Sequence, residues 1–399
     1  MKKRILAALL ALLCLAGCGG SKSLTPVRPA PPDLPEALDA DSASALTEAS
    51  LRLLREAWTD NVLLSPLSLL SVLGMTANGA RGGTLAQMED VLGLPLDRMN
   101  AAMALWGREL EGLDMANAVW LRDDGSFVPE DAFLETAGAW YGAEVFPVPM
   151  DGGTLREIND WVKRQTHGRI DGILEEIPGS AVMYLINALA LDAEWEEVYR
   201  TDQIREGTFT AEDGRQQPVE LMYGLEGRFL EDAHGTGFLK PYKGGRWAFA
   251  ALLPERGMAL EDYAAALTGE GLQAMLSGAA EETVETAIPQ FQCVCQLELS
   301  GVLKALGMTD AFEQAAADLS GLGTSGLGPL YVSEVLHKTC IAVDARGTQA
   351  GAASAVSVDS GGAGMMGSAV ILDRPFLYML VDLETNLPVF LGAATDMGA

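Results

Sequence analysis

The chain has 399 residues, 49% of them hydrophobic and 21% charged, which supports one large core or two smaller ones and excludes a disordered chain. With 27 Lys and Arg against 55 Asp and Glu it carries a net charge of −28, a field that repels nucleic acid and serves solubility or attraction to basic partners.

The first element is a leader. Met1-Lys2-Lys3-Arg4 precedes an apolar run over residues 5–13 that is too short to span a bilayer and reads as a signal peptide. Leu15-Ala16-Gly17-Cys18 looks like a bacterial lipobox, in which the Cys18 thiol takes a diacylglycerol and becomes the first residue after cleavage of residues 1–17. Residues 18–42, with Gly19-Gly20-Ser21-Lys22-Ser23 and Pro26, Pro29, Pro31, Pro32 and Pro35, then form a tether to a folded body over residues 43–399. Loss of Lys2, Lys3 and Arg4 with the leader leaves 24 basic against 55 acidic residues, a net charge of −31. The expected location is the cell surface or envelope, reached by secretion across the bacterial cytoplasmic membrane.

In the body, helical periodicity marks residues 43–58, 66–78, 84–92, 130–141 and 155–165. Strand-like blocks follow at 115–121, 182–191, 218–222, 247–253, 332–343, 376–381 and 388–391. Helices concentrate early and strands late, which points to an α+β fold with mixed sheets. Cys293 and Cys295 lie two apart in a strand-like run and share a face, and with Cys340 they read as packing thiols, since no CxxC or His-rich spacing supports a metal. Gly321-Leu322-Gly323-Thr324-Ser325-Gly326 matches G-x-G-x-x-G but runs into Pro329-Leu330-Tyr331-Val332, a strand-like stretch, where a dinucleotide site needs a helix. His167, His234 and His337 sit in no nucleophile motif, so an enzyme is not expected, and neither is a cofactor.

The segment from Gly347 is the most telling. Thr348, Ala350, Ala352, Ser354, Val356 and Val358 are small or β-branched at alternate positions, as a strand hidden in a sheet requires, with Gln349 and Asp359 on the other face. Residues 359–368, Asp359-Ser360-Gly361-Gly362-Ala363-Gly364-Met365-Met366-Gly367-Ser368, read instead as an exposed loop open to proteolysis. Loop and latent strand thus share one segment, flanked by Ser333-Glu334-Val335-Leu336-His337-Lys338 and Asp373-Arg374-Pro375-Phe376-Leu377.

That arrangement resembles the hinge and reactive-site loop of serpins. Further motifs match in family order: Asn61-Val62-Leu63-Leu64-Ser65-Pro66-Leu67-Ser68, Gly79-Ala80-Arg81-Gly82-Gly83-Thr84, Ile158-Asn159-Asp160-Trp161-Val162 with Thr166, Gly168 and Ile170, Leu185-Ile186-Asn187-Ala188 through Trp195-Glu196, Pro241-Tyr242, Leu253-Pro254, Pro289-Gln290-Phe291 and Leu306-Gly307-Met308-Thr309-Asp310-Ala311-Phe312. The resemblance implies a serpin-like α+β fold with a large central mixed sheet, two further sheets, eight or nine helices and an exposed loop over about 347–370. It implies no catalysis. A serine or cysteine protease attacks the loop, and the freed strand inserts into the sheet and traps the acyl-enzyme in a 1:1 covalent complex. By motif position the hinge is Gly347, Thr348, Gln349, Ala350, Gly351, Ala352, Ala353 and Ser354, and the scissile bond falls among Gly361, Gly362, Ala363, Gly364, Met365 and Met366. Ser65, Ser68, Asn187 and His337 correspond to a cluster beneath the sheet centre that governs opening, Trp195 to the aromatic where the strand first enters, and Cys340 to the strand beside Cys293 and Cys295. The family's glutamates at the base and start of the hinge are here Ala345 and Gln349, and Gly351 interrupts the alanine run. The alternative under the same fold is a non-inhibitory surface binding protein whose loop is cut as a substrate. A monomer is expected, touching the membrane through its lipid alone.

Overall fold

Apolar periodicity and side-chain caps set the early helices. The structure is a computed structural model and describes residues 34–107, 112–348 and 368–398. It opens with α1 (Ala40–Glu56), β1 (Val62–Leu64), α2 (Pro66–Gly79), α3 (Gly82–Leu92) and α4 (Leu96–Trp106). Next come β2 (Leu113–Arg122), β3 (Phe127–Pro129), α5 (Asp131–Tyr141), β4 (Glu144–Val148), α6 (Gly152–Gln165), β5 (Met183–Leu191) and β6 (Ala193–Glu194). The middle holds β7 (Ile204–Thr210), β8 (Gln216–Glu231), β9 (Gly235–Pro241), β10 (Trp247–Pro254), α7 (Leu260–Ala266), α8 (Gly269–Ser277), β11 (Ala280–Pro289) and β12 (Phe291–Glu298). The chain closes with α9 (Ser300–Ala305), β13 (Gly323–Ser325), β14 (Leu336–Val343), β15 (Gly347–Thr348), β16 (Ser368–Ile371), β17 (Phe376–Asp382) and β18 (Leu387–Ala394). The fold is α+β with nine α-helices among the described residues.

Two helices begin three residues earlier than their apolar pattern, each because an aspartate caps it. Asp39 accepts from the Ser42 amide and starts α1 at Ala40, and Asp151 accepts from Gly153 and Thr154 and starts α6 at Gly152. The strand expected over 332–343 begins only at Leu336, and Pro329-Leu330-Tyr331-Val332 forms no strand. Gly323–Ser325 of the glycine-rich stretch pairs with β3 and opens no helix, as its context required.

The largest sheet is mixed and has nine strands in the order β1-β18-β17-β10-β9-β8-β11-β16, with β7 paired to β8. Strands β10, β17 and β18 are buried along their whole length and form the floor of the main core. Helix α2 lies between this floor and β5, touching β18 on one side and β5 on the other.

Over α2 runs a second layer in two parts. One is a three-stranded sheet in the order β4-β2-β5, the other a four-stranded sheet in the order β12-β14-β15-β6. The parts join through Leu191 and Ala193, because β6 continues β5, but β5 and β14 share no ladder bond among the described residues. A smaller core seals the outer face: Ile158, Trp161 and Val162 of α6 pack on Trp120, whose ring stacks on Phe146 at 4.3 Å between centroids. Cys293 and Cys295 share a face of β12, and Cys340 pairs opposite Val294 on the neighbouring β14, so it points to the other face. Burial pushes the Cys293 thiol up to about 11, so it stays protonated at neutral pH.

Candidate functional site

Small residues and one aspartate turn the chain back on itself after β14. The Asp344 carboxylate accepts from the Arg346 amide at 2.7 Å and the Gly347 amide at 3.2 Å, and the Asp344 amide donates to the Gly347 carbonyl at 3.0 Å. The turn lays β15 antiparallel between β14 and β6, with Thr348 opposite both Val343 and Ala193. A Cβ on Gly347 would overlap the Ala193 carbonyl oxygen, so only glycine permits this approach. Gly347→Val is therefore expected to cost about 1–3 kcal/mol of β15 pairing. A lowered denaturation midpoint of the variant checks this.

Aromatic side chains form the seat for this turn. Thr348 is buried and its hydroxyl shares a hydrogen bond with the Tyr242 hydroxyl, which burial keeps protonated. The Tyr242 ring stacks on Trp195 at 4.4 Å and 14°. Trp195 donates its indole N–H to the Asp344 carbonyl at 2.8 Å and its amide to Arg346 at 2.8 Å, and the Tyr199 amide donates to Ala345 at 2.9 Å. Trp195 thus stands with Gly347 and Thr348, apart from Ser65, Ser68, Asn187 and His337. Gln349, Ala350, Gly351, Ala352, Ala353, Ser354 and the scissile-bond candidates Gly361, Gly362, Ala363, Gly364, Met365 and Met366 lie outside the described residues, as does Cys18.

Ser65, Ser68, Asn187 and His337 do come together. The Ser65 amide donates to His337 Nε2 at 2.9 Å, Ser65 Oγ accepts from the Ser68 amide at 3.3 Å, and Ser68 Oγ donates to Asn187 Oδ1. The chain of contacts extends to residues the sequence reading left out. Asn187 Nδ2 donates to Asn117 Oδ1 at 2.9 Å, Asn117 Nδ2 to the Tyr141 carbonyl at 2.7 Å, and the Tyr141 hydroxyl to Asn100 Oδ1 at 2.7 Å. It ties β14, α2, β5, β2, α5 and α4 into one buried polar line. Burial lowers the His337 pKa to about 3, so the ring is neutral and free to accept at neutral pH.

Beneath the seat, the N-terminal halves of β5 and β14 stand apart around a cavity of about 280 Å³. Leu69 and Val72 of α2 line its floor, Leu185 and Leu336 its walls, and Ile173 and Leu174 of the segment after α6 cover it. Asn159 of α6 holds that cover, accepting from the Ile173 and Leu174 amides at 2.9 and 3.0 Å and donating to the Leu174 carbonyl at 2.8 Å. Lys338 of β14 donates to the Gly172 carbonyl at 3.1 Å. The facing strand edges of β5 and β14 therefore frame a slot that one further strand could fill, and β15 occupies its far end.

The serpin family model, described as serine protease inhibitor, matches residues 43–397. The chain is a serpin. It is 30% identical over 347 residues to an uncharacterised serpin-like protein of Thermococcus kodakarensis, covering 84% of this chain and 80% of that one. Leukocyte elastase inhibitor A of Mus musculus is 28% identical over 367 residues, covering 84% of this serpin and 92% of the relative. Among solved structures, the thermophilic serpin tengpin in its native state is 37% identical with a TM-score of 0.87, covering 94% of this chain and all of that one. Tengpin in its latent state is likewise 37% identical, with a TM-score of 0.80 over 91% of this chain and 99% of that one.

Proposed function

We propose that this serpin is a suicide-type inhibitor of serine or cysteine proteases with elastase-like or subtilisin-like specificity. The observation that carries the reading is β15: the start of the hinge sits between β6 and β14, at the head of a slot between β5 and β14 that no other strand among the described residues occupies. The protease nucleophile attacks a carbonyl within residues 361–366, the acyl-enzyme forms, and the new amino terminus departs. The segment from Thr348 onward then slides between β5 and β14, displacing the cover at Ile173 and Leu174 and carrying the enzyme with it. About a dozen new ladder bonds at roughly 0.5–1.5 kcal/mol each supply on the order of 10 kcal/mol, enough to distort a protease active site. The intact protein is then held by a barrier and not by equilibrium. Small and medium side chains at the loop tip favour elastase-like and subtilisin-like pockets, and the lack of Lys or Arg between Arg346 and Arg374 disfavours trypsin-like ones.

The test is incubation of the leaderless protein with elastases, subtilisin, chymotrypsin and trypsin, followed by denaturing gels and mass spectrometry of the released C-terminal peptide. A complex stable in SDS is expected with elastase or subtilisin, and the peptide's first residue fixes the bond within residues 360–368. Clean cleavage without complex by every enzyme would leave the non-inhibitory binding protein as the better account.

The same proposal places the mature protein as a monomer on the cell envelope, held by a lipid on Cys18. Expressed in a bacterial host, the wild type is expected to take up labelled palmitate and sediment with membranes. Cys18→Ser should lose both properties completely, whereas an unlabelled wild type would remove the anchor.

A further inference from the structure

Two opposite charges are buried directly behind the hinge seat. Lys240 of β9 and Glu226 of β8 meet at 2.8 Å between Nζ and Oε1, with side chains only 4% and 6% exposed. Such a pair is a poor device for stability, because desolvating both ions costs about as much as their attraction returns, and apolar residues of similar volume commonly do as well or better. Its surroundings suggest another role. The Lys240 ammonium lies 4.4 Å from the Tyr199 ring centroid and 5.3 Å from that of Trp195. These are the two residues whose backbone and indole N–H groups hold Asp344, Ala345 and Arg346, and Trp195 in turn stacks on Tyr242, the partner of Thr348. Every aromatic ring of the seat therefore touches the ammonium or touches a ring that does.

We infer that the Glu226–Lys240 pair is a positioning element for the hinge: the carboxylate fixes the ammonium, the ammonium fixes the Trp195 and Tyr199 rings, and those rings hold β15 at the head of the slot. Neither residue meets a protease or takes part in bond-breaking. Their effect is on how soon the strand inserts after cleavage. This inference rests on the inhibitory reading above. Without the pinned rings β15 backs out of the slot, insertion starts later, and more acyl-enzyme is hydrolysed before capture.

The double variant Glu226→Met with Lys240→Met removes both charges while keeping flexible apolar volume at each site, so it separates positioning from stability. Its denaturation midpoint is expected to match or exceed that of wild type. The rate at which the protease-cleaved protein converts to its heat-resistant, strand-inserted form should nevertheless fall about tenfold, as loss of desolvated cation–π contacts would give, and the moles of serpin consumed per protease trapped should rise severalfold. Lys240→Arg, which keeps the charge, should stay near wild type. A double variant equal to wild type in both conversion rate and stoichiometry overturns the inference. Should the double variant not fold, Glu226→Gln alone is read in the same two assays, with wild-type values again overturning the inference. If the wild type traps no protease, the inhibitory reading fails, yet the conversion rate after cleavage still compares variant with wild type and decides the role of the pair.

Discussion

Under the proposed inhibitory function, Thr348→Arg is expected to turn the protein into a plain substrate, abolishing the covalent complex while leaving loop cleavage at its normal rate. Thr348 is 4% exposed, pairs with Val343 and Ala193, and shares its hydroxyl with Tyr242. An arginine there has to bury a guanidinium against the Trp195–Tyr242 stack, over whose Trp195 ring the Lys240 ammonium already sits. An unpaired buried charge beside a like charge costs several kcal/mol, on the order of 3–5, so the head of the slot stays empty. Cleavage needs only an accessible scissile bond, so it continues. On a denaturing gel the variant should show the cut serpin band alone, because a cost of about 3 kcal/mol or more moves the partition between capture and hydrolysis by at least about a hundredfold. Thr348→Ser, which keeps the hydroxyl, should form complex normally. A persistent covalent complex with Thr348→Arg would remove Thr348 from the hinge.

How far the site was legible depends on how local its signals are. The close glycine at 347 and the threonine after it are written within a few residues, and the structure seats both in a short strand, whereas the later alternate positions lie outside the described residues. Ser65, Ser68, Asn187 and His337 were legible through motif order. Their line of partners through Asn117, Tyr141 and Asn100 was not, because isolated polar residues in helices and strands look like surface until the fold brings them together. Tyr242 lies 106 residues from Thr348, and Glu226 and Lys240 are charged residues in strand-like runs, which sequence reasoning assigns to solvent.

The missed strands have physical reasons as well. β9 carries Gly235 and Gly237, residues that lower strand propensity, yet a Cβ on Gly237 would overlap the Ala251 carbonyl, so the sheet itself requires the glycine. The first half of β11 is a run of exposed residues, and its apolar pattern is weak. α4 begins after Pro95 with no side-chain cap, which removes the usual start signal. The division of the upper layer into two sheets could not be read at all. β5 and β14 each look like ordinary strands, and only their spacing in three dimensions shows the slot between them.

His337 makes that slot sensitive to acid. Its folded-state pKa is lowered by burial to about 3 from an unperturbed 6.5, so the unfolded chain binds a proton below pH 6.5 that the native protein refuses until about pH 3. A group with this sign stabilises nothing as pH falls; it withdraws stability progressively across that window, by up to about 1.4 kcal/mol per pH unit and on the order of 3 kcal/mol by about pH 4.5. Glu226 acts oppositely, since burial raises its pKa against the pull of Lys240, but it contributes equally to any two proteins that share it. His337→Gln keeps an acceptor for the Ser65 amide and cannot titrate, so comparing it with wild type isolates the histidine. Urea denaturation midpoints at pH 7.5 should differ little between the two, whereas at pH 4.5 the wild type should fall well below the variant. Protonation also destroys the acceptor that ties β14 to α2, so unfolding and spontaneous strand insertion in the wild type should both accelerate in acid while the variant stays nearly flat. Parallel pH profiles for the two proteins would show that His337 is not the residue that couples the sheet to acid.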